Sequence, residues 1–313
     1  MGKRVVVALG GNAILQPDQK GTAGEQWANV QLTCHQIARM IQAGYEVVIT
    51  HGNGPQVGNI LIQNEEGANM VPPMPLDICG AESQGLIGYM IQQALTNELQ
   101  GLGIDKAAVT VVTQVEVDPA DPDFQNPSKP VGPFYTAEKA KELMAEKGWL
   151  MKEAGPKGWR RVVPSPQPKM IREKKVIRDL LAAGNIVIAS GGGGIPVRIR
   201  PDGRLEGVEA VIDKDRAGQR LAADVGADIF LILTDVARVA INFNTPQQQD
   251  LTRLTLAEAR QYQAEGHFRA GSMGPKVEAA VCFVEEGGEL AVITSLDTAL
   301  EALTGDAGTK IVH

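Results

Sequence analysis

Three lysines in this chain stand where they could do chemistry. Lys214 lies between Asp213 and Asp215, directly after the apolar pair Val211-Ile212 and near a helix start. Flanking carboxylates can form an ordinary surface ion pair, worth roughly 0–1 kcal/mol, or they can aim the ammonium at a transferring phosphate. Lys276 closes the run Gly271-Ser272-Met273-Gly274-Pro275-Lys276. There Gly271 to Gly274 free the backbone, Pro275 suits the first helical position, and Lys276 adds a full charge where a helix dipole is already positive. That combination suits a polyphosphate. Lys129, in Pro127-Ser128-Lys129-Pro130, sits on a rigid proline-rich stretch, where a solvated loop lysine is the ordinary alternative. His35, His51, His267 and His313 form no nucleophile or metal pattern and read as packed or solvated side chains.

An anion brought to these lysines needs a floor. Val47–Thr50 reads as a buried parallel strand that stops in His51-Gly52-Asn53-Gly54-Pro55-Gln56-Val57-Gly58. Gly52, Asn53 and Gly54 let the backbone approach a small ligand before a helix begins near Pro55. The same grammar takes Val5–Leu9 into Gly10-Gly11-Asn12-Ala13, and Ile186–Ser190 into Gly191-Gly192-Gly193-Gly194. Such strand ends present backbone N–H groups and helix N-termini to phosphate or carboxylate. His51–Gly58 reads G-x-G-x-x-x-G, one residue too long for the dinucleotide fingerprint, and G-x-x-x-x-G-K-[ST] occurs nowhere. A nicotinamide enzyme and a P-loop are therefore both disfavoured.

The elements that must hold these turns alternate. Helical spacing runs over Glu25–Ala43, Pro55–Asn64 and Ile78–Leu99, then a strand over Val109–Thr113. In the second half, helix Lys169–Ala183, strand Ile186–Ser190, a helix within Val211–Val225, strand Ile229–Thr234, helices Thr255–Glu265 and Gly274–Glu286, strand Leu290–Thr294 and helix Leu296–Leu303 follow. Alternation predicts a mostly parallel open sheet covered on both faces, with ligands outside the carboxyl ends of its strands. Gly85 and Gly88 weaken helix Ile78–Leu99 unless another backbone packs close, which reads as a packed or dimer-forming helix. Val117–Pro168 holds nine prolines, together with Phe124, Phe134, Tyr135, Trp149 and Trp159. That composition predicts a protruding subdomain with a small core of its own, a short helix at Tyr135–Lys147 and a hairpin or ribbon at Gly155–Pro168.

Composition narrows the class. A chain of 313 residues, 43% hydrophobic and 21% charged, can bury a large core. Its net charge of −7, without a basic tail, argues against a nucleic-acid binder. Cys34, Cys79 and Cys282 lack CxxC spacing, so neither a disulfide framework nor a zinc site is expected. There is no apolar run of about 18 residues and no signal-peptide pattern, so the expectation is a cytoplasmic protein with no membrane partner.

Taken together, Ala8–Ala13, His51–Gly58, Lys129–Tyr135, Arg160–Pro166, Val211–Asp215 and Gly271–Lys276 resemble the carbamate kinase branch of the amino acid kinase family, along nearly the whole chain. Broader members place a lysine two residues before the first glycine pair; this chain has Ala8 there, as that branch does. It departs in carrying Val239-Ala240 where the family commonly shows Val-Tyr. The resemblance implies a three-layer α/β/α sandwich with a mostly parallel open central sheet and a small protruding subdomain. It also implies a homodimer and reversible phosphoryl transfer between ATP and carbamate, giving ADP and carbamoyl phosphate, run toward ATP in arginine catabolism. Residues 1–184 would bind carbamate or carbamoyl phosphate, residues 185–313 the nucleotide, and residues 117–168 would form a lid. Lys214 and Lys276 would neutralise the phosphoryl group in flight, Lys129 would come down onto it, and Asp215 would orient the lysines. Gly10, Gly11, Asn12, Gly52, Asn53 and Gly54 would cradle carbamate and phosphate, while Thr234, Asp235, Val236, Met273, Gly274 and Lys276 would border the nucleotide. Mg2+ would bind chiefly through nucleotide phosphates, and no protein ligand is assigned to it. A related kinase of another small carboxylate or phosphate, or a non-catalytic nucleotide-sensing subunit, are the alternatives; the presence of Lys129, Lys214, Asp215 and Lys276 weighs against the latter.

Overall fold

The structure, a computed structural model, describes residues 2–268 and 272–313. Its central sheet holds β1 (Arg4–Leu9), β2 (Glu46–His51), β3 (Ala108–Thr110), β9 (Ile186–Ile188), β12 (Ile229–Thr234), β15 (Arg253–Thr255), β16 (Leu290–Ser295) and β17 (Thr309–Val312). They lie in the order β15-β17-β16-β12-β1-β2-β9-β3. Every pairing is parallel except β16 with β17.

Helices cover both faces, as a parallel sheet requires. On one side Val5, Val7 and Leu9 of β1 pack with α1 (Ala23–Gln42), α3 (Leu76–Gly101) and α9 (Ala299–Thr304), through residues such as Ile37, Ile91 and Ala302. On the other, Val6 and Ala8 pack with α5 (Lys174–Ala182), α6 (Lys214–Val225), α7 (Leu256–Ala264) and α8 (Met273–Glu285), through Leu181, Leu221, Ala259 and Val281. The period-two alternation of β1 thus feeds two cores, and the result is a three-layer α/β/α sandwich. A Cβ on Gly88 would lie 2.3 Å from the Thr110 side chain, so α3 packs too closely on β3 for any other residue; Gly85 faces open space.

A second sheet, β11-β10-β4-β8, joins β4 (Gln114–Val117), β8 (Pro168–Ile171), β10 (Ile195–Ile199) and β11 (Leu205–Gly207). Lys169–Ala183 is not one helix: Pro168–Ile171 is a strand pairing antiparallel with β4, and α5 starts at Lys174. Pro168 is tolerated because it is the first residue of an edge strand. A further strand absent from the sequence reading, β17, follows Leu290–Ser295. Val117 pairs with Pro168, so the segment between them leaves and returns at neighbouring points.

Within that segment β5 (Lys129–Tyr135), β6 (Met151–Glu153) and β7 (Trp159–Val163) form a sheet in the order β5-β7-β6, with α4 (Ala137–Lys147) against it. Ala140, Leu143 and Met151 are its buried centre, flanked by Tyr135, Trp149 and Trp159. β5 also packs on α2 (Gly54–Glu66), where Val131 and Val163 meet Val57 and Ile60. A small hairpin of β13 (Val239–Ile241) and β14 (Gln249–Leu251) completes the fold.

Candidate active site

Five parallel strands end at one cleft of about 990 Å³. β1 delivers Gly10, Gly11 and Asn12; β2 delivers Gly52, Asn53 and Gly54; β9 delivers Gly192; β12 delivers Thr234 and Asp235; and β16 delivers Ser295 and Asp297. The turn after β1 stays on the sheet, because Gly10 N–H donates to the Leu233 carbonyl at 3.0 Å. A Cβ on Gly10 would stand 2.8 Å from that same oxygen, so the site requires glycine. Gly52 N–H donates to Leu9 at 3.1 Å, placing the first two glycine turns side by side.

Lys129, Lys214 and Lys276 all line the cleft, from three different elements. α6 starts at Lys214 because the Asp213 side chain caps it, accepting from Asp215 N–H at 3.0 Å. Asp213 also accepts from Lys129 Nζ at 2.8 Å, and Asp215 accepts from Lys276 Nζ at 3.0 Å. The two carboxylates that flank Lys214 in sequence therefore hold the other two lysines. Burial alone would raise the Asp213 carboxyl, but the Lys129 charge and hydrogen bond, with the N–H groups of Asp215 and Arg216, outweigh it and hold the group below its usual range. Among the described residues, Lys214 itself has no carboxylate within the 4.0 Å of an ion pair. Burial, then the like charge of Lys276, lowers its pKa, against the pull of Asp215 and Asp213. Its side chain lies over Gly52: a Cβ there would be 3.2 Å from Lys214 Cδ and 3.6 Å from Nζ.

Beneath this surface sits His51. It is 2% exposed, and burial above all pushes its pKa down to about 4, with Lys214 adding to the effect. The neutral ring donates Nδ1–H to the Gly52 carbonyl at 2.9 Å. On its other side, a Cβ on Gly191 would fall 2.4 Å from Nε2. One imidazole thus spaces the glycine turns of β2 and β9. Asn53 donates to Ser83 Oγ at 2.7 Å and lies against Gly192, whose φ of 67° favours glycine.

Of the residues that the family resemblance assigns to catalysis, the small acid or the nucleotide, all but Val236, Met273 and Gly274 line this cleft. α8 begins at Met273, which makes Pro275 the third helical residue rather than the first, and Gly271 lies outside the described residues. Asp297 and Ser295 were missed, although the rule that found Gly52 and Gly10 points to them: they follow the end of a buried strand. Arg160 was missed too, and nothing in its local sequence separates it from Arg161.

The arrangement can neutralise a chain of anions. Three ammoniums, two strand-end turns rich in backbone N–H groups and the N-termini of α2, α6 and α8 converge on one volume. The sequence pattern of the amino acid kinase family matches residues 3–295. The carbamate kinase of Pyrococcus furiosus is 57% identical over 314 residues, covering 100% of both chains. That of Thermococcus kodakarensis is 60% identical, with 99% of each chain covered. The solved structure of carbamate kinase from Giardia lamblia bound to AMP-PNP superposes with a TM-score of 0.95 at 48% identity, over 99% of this chain and 98% of that one. The chain belongs to the amino acid kinase family.

Proposed function

We propose that this protein is a carbamate kinase, transferring a phosphoryl group reversibly between ATP and carbamate to give ADP and carbamoyl phosphate. The observation that carries this reading is the division of labour among the lysines: Lys129 and Lys276 are each held by a carboxylate, and Lys214, over Gly52, has no carboxylate partner among the described residues. Carbamate is already anionic at neutral pH, so its oxygen attacks phosphorus without a general base. That P–O bond forms as the bond to the β-phosphate oxygen breaks, and the electron pair leaves with ADP. The obstacle is crowding negative charge along one line, and preorganised cations and dipoles remove it.

The glycine turns of β1 and β2, both within residues 1–184, suit the small acid, while Thr234, Asp235 and Lys276, within 185–313, suit the nucleotide. Lys129 belongs to the segment 117–168, which acts as a lid. Bound through the nucleotide phosphates, magnesium would supply charge neutralisation. Asp213 and Asp215 are engaged by lysines, so Asp235 and Asp297 are the carboxylates of the cleft that would face it, a small donor set suited to an ion that keeps several waters. We also propose a homodimer, in keeping with Ile78, Leu86 and Tyr89, which are exposed at helical spacing on α3. Free thiols at Cys34, Cys79 and Cys282 suit a reducing cytoplasm. There the reaction would run toward ATP, fed by carbamoyl phosphate from arginine catabolism.

The test is ATP formation from ADP, magnesium and fresh carbamoyl phosphate, with acetyl phosphate as the comparison donor. Rapid ATP formation from carbamoyl phosphate alone is expected. No ATP from folded protein would overturn the reading.

A further inference from the structure

Arg160 is a fourth cation lining the cleft, and among the described residues it has no counter-charge. It lies on β7, in the same small sheet as Lys129, and lines the cleft beside Gly132 and Pro133. Its guanidinium is fixed twice: Nη2 donates to the Gly132 carbonyl at 2.8 Å, and the group sits 5.1 Å from the centre of the Phe134 ring. Among the described residues its Nε is enclosed without a hydrogen-bond partner. Its neighbour Arg161 differs, being paired with Glu209 at 2.8 Å. Burial pushes the Arg160 pKa down, opposed by no carboxylate among the described residues. An arginine does not shed its proton, so the strain remains as an uncompensated, partly desolvated charge. An oxyanion relieves it, and a guanidinium fork with a free N–H suits a phosphate or carboxylate edge.

Position decides which oxyanion. Arg160 stands over α2, because β5, which carries Gly132, packs on that helix. The adjoining wall of the cleft is Val57, Gly58 and Asn59 of α2, which runs on from the Gly52–Gly54 turn. Asp235 and Asp297 follow β12 and β16, and Ser272 immediately precedes α8, at the other side of the sheet order. Resting on the reading of the cleft as a phosphoryl-transfer site, we infer that Arg160 is a substrate-binding residue for the small acid side, gripping an oxyanion of the acyl phosphate and favouring it over bulkier or uncharged donors.

Arg160→Met keeps a long side chain over Phe134 and removes the charge; Arg160→Lys keeps the charge without the fork. In ATP formation, Arg160→Met is expected to raise KM for carbamoyl phosphate at least tenfold while KM for ADP stays within twofold, with Arg160→Lys in between. A carbamoyl phosphate KM within twofold of wild type, or equal rises for both substrates, would overturn the proposal and leave the functional reading standing. A second measurement does not depend on turnover: the upward shift of the unfolding temperature caused by inorganic phosphate should shrink by at least half in Arg160→Met. An undiminished shift would overturn the proposal even if the wild-type enzyme made no ATP.

Discussion

Lys276 donates to Asp215 at 3.0 Å across 61 residues of sequence, locking the first turn of α8 to the first turn of α6. The carboxylate side chain is 4% exposed and the ammonium 12%. Lys214, which precedes Asp215, is repelled by the same ammonium, so one carboxylate offsets two cations. Asp215→Asn leaves both charges without that compensation. It is expected to cost about 3–5 kcal/mol of stability, the usual penalty for stranding a buried charge, together with a loss in turnover of about a hundredfold or more. Urea denaturation and ATP formation measure the two effects, and wild-type stability in the variant would show that the lysines do not depend on Asp215.

Lys214→Met should separate activity from stability. The thioether side chain can still cover Gly52, and the change removes a like charge beside Lys276, so the unfolding temperature should hold or rise. Turnover should fall by about two to four orders of magnitude, because the lost group acts on transition-state charge. The pH profile of the wild type gives a second check. Burial and Lys276 favour the neutral amine of Lys214, and only the ammonium can neutralise phosphate. Turnover should therefore decline on the alkaline side at lower pH than an ordinary lysine would titrate. A profile that is flat through the ordinary lysine range would remove Lys214 as the titrating group.

Much of this site was legible because parallel strands write their ends plainly. A buried apolar run followed by glycines marks the C-terminal edge of the sheet, and Gly10, Gly52 and Gly192 all follow that rule. What was hidden depends on contacts remote in sequence. Pro168–Ile171 looks like the approach to a helix until β4 is known to lie beside it, 51 residues before in the register Val117 to Pro168. Thr309–Val312 has only four residues and pairs against the parallel grain of the sheet. The carboxylates next to Lys214 read as its partners, yet side-chain geometry turns them to Lys129 and Lys276 instead. His51 carried no catalytic pattern, and its role as a spacer between two turns appears only when β2 and β9 are adjacent.

That spacer has a pH signature. An unfolded imidazole titrates near 6.5, whereas His51 in the folded protein titrates at about 4. Between those values the unfolded chain binds a proton that the native state refuses. Stability should thus be unaffected by this group above pH 6.5 and fall as the pH drops toward 4, by at most roughly 3 kcal/mol. His51→Asn can still donate to the Gly52 carbonyl but cannot titrate. Subtracting its stability curve from that of the wild type should leave a slope confined to this window, and parallel curves would mean that His51 is protonated normally.

The final expectation concerns the segment 117–168. Lys129 holds it to α6 through Asp213 at 2.8 Å, and Tyr135 holds it to α2 through Glu65 at 2.7 Å. The Lys129 side chain is still 35% exposed, so its pairing is the weaker, solvent-screened kind. A bound phosphoryl group would offer Lys129 a doubly charged partner inside the cleft, and Arg160 a first one. Both residues belong to the β5-β7-β6 sheet, so satisfying them draws the whole segment down into the cleft. Limited proteolysis should then cut within 117–168 several-fold more slowly when ADP and carbamoyl phosphate are present together than with either alone. Lys129→Ala should lose most of that protection while leaving the unliganded cleavage rate within twofold. Equal cleavage with and without ligands would mean that the segment is a fixed wall of the cleft rather than its lid.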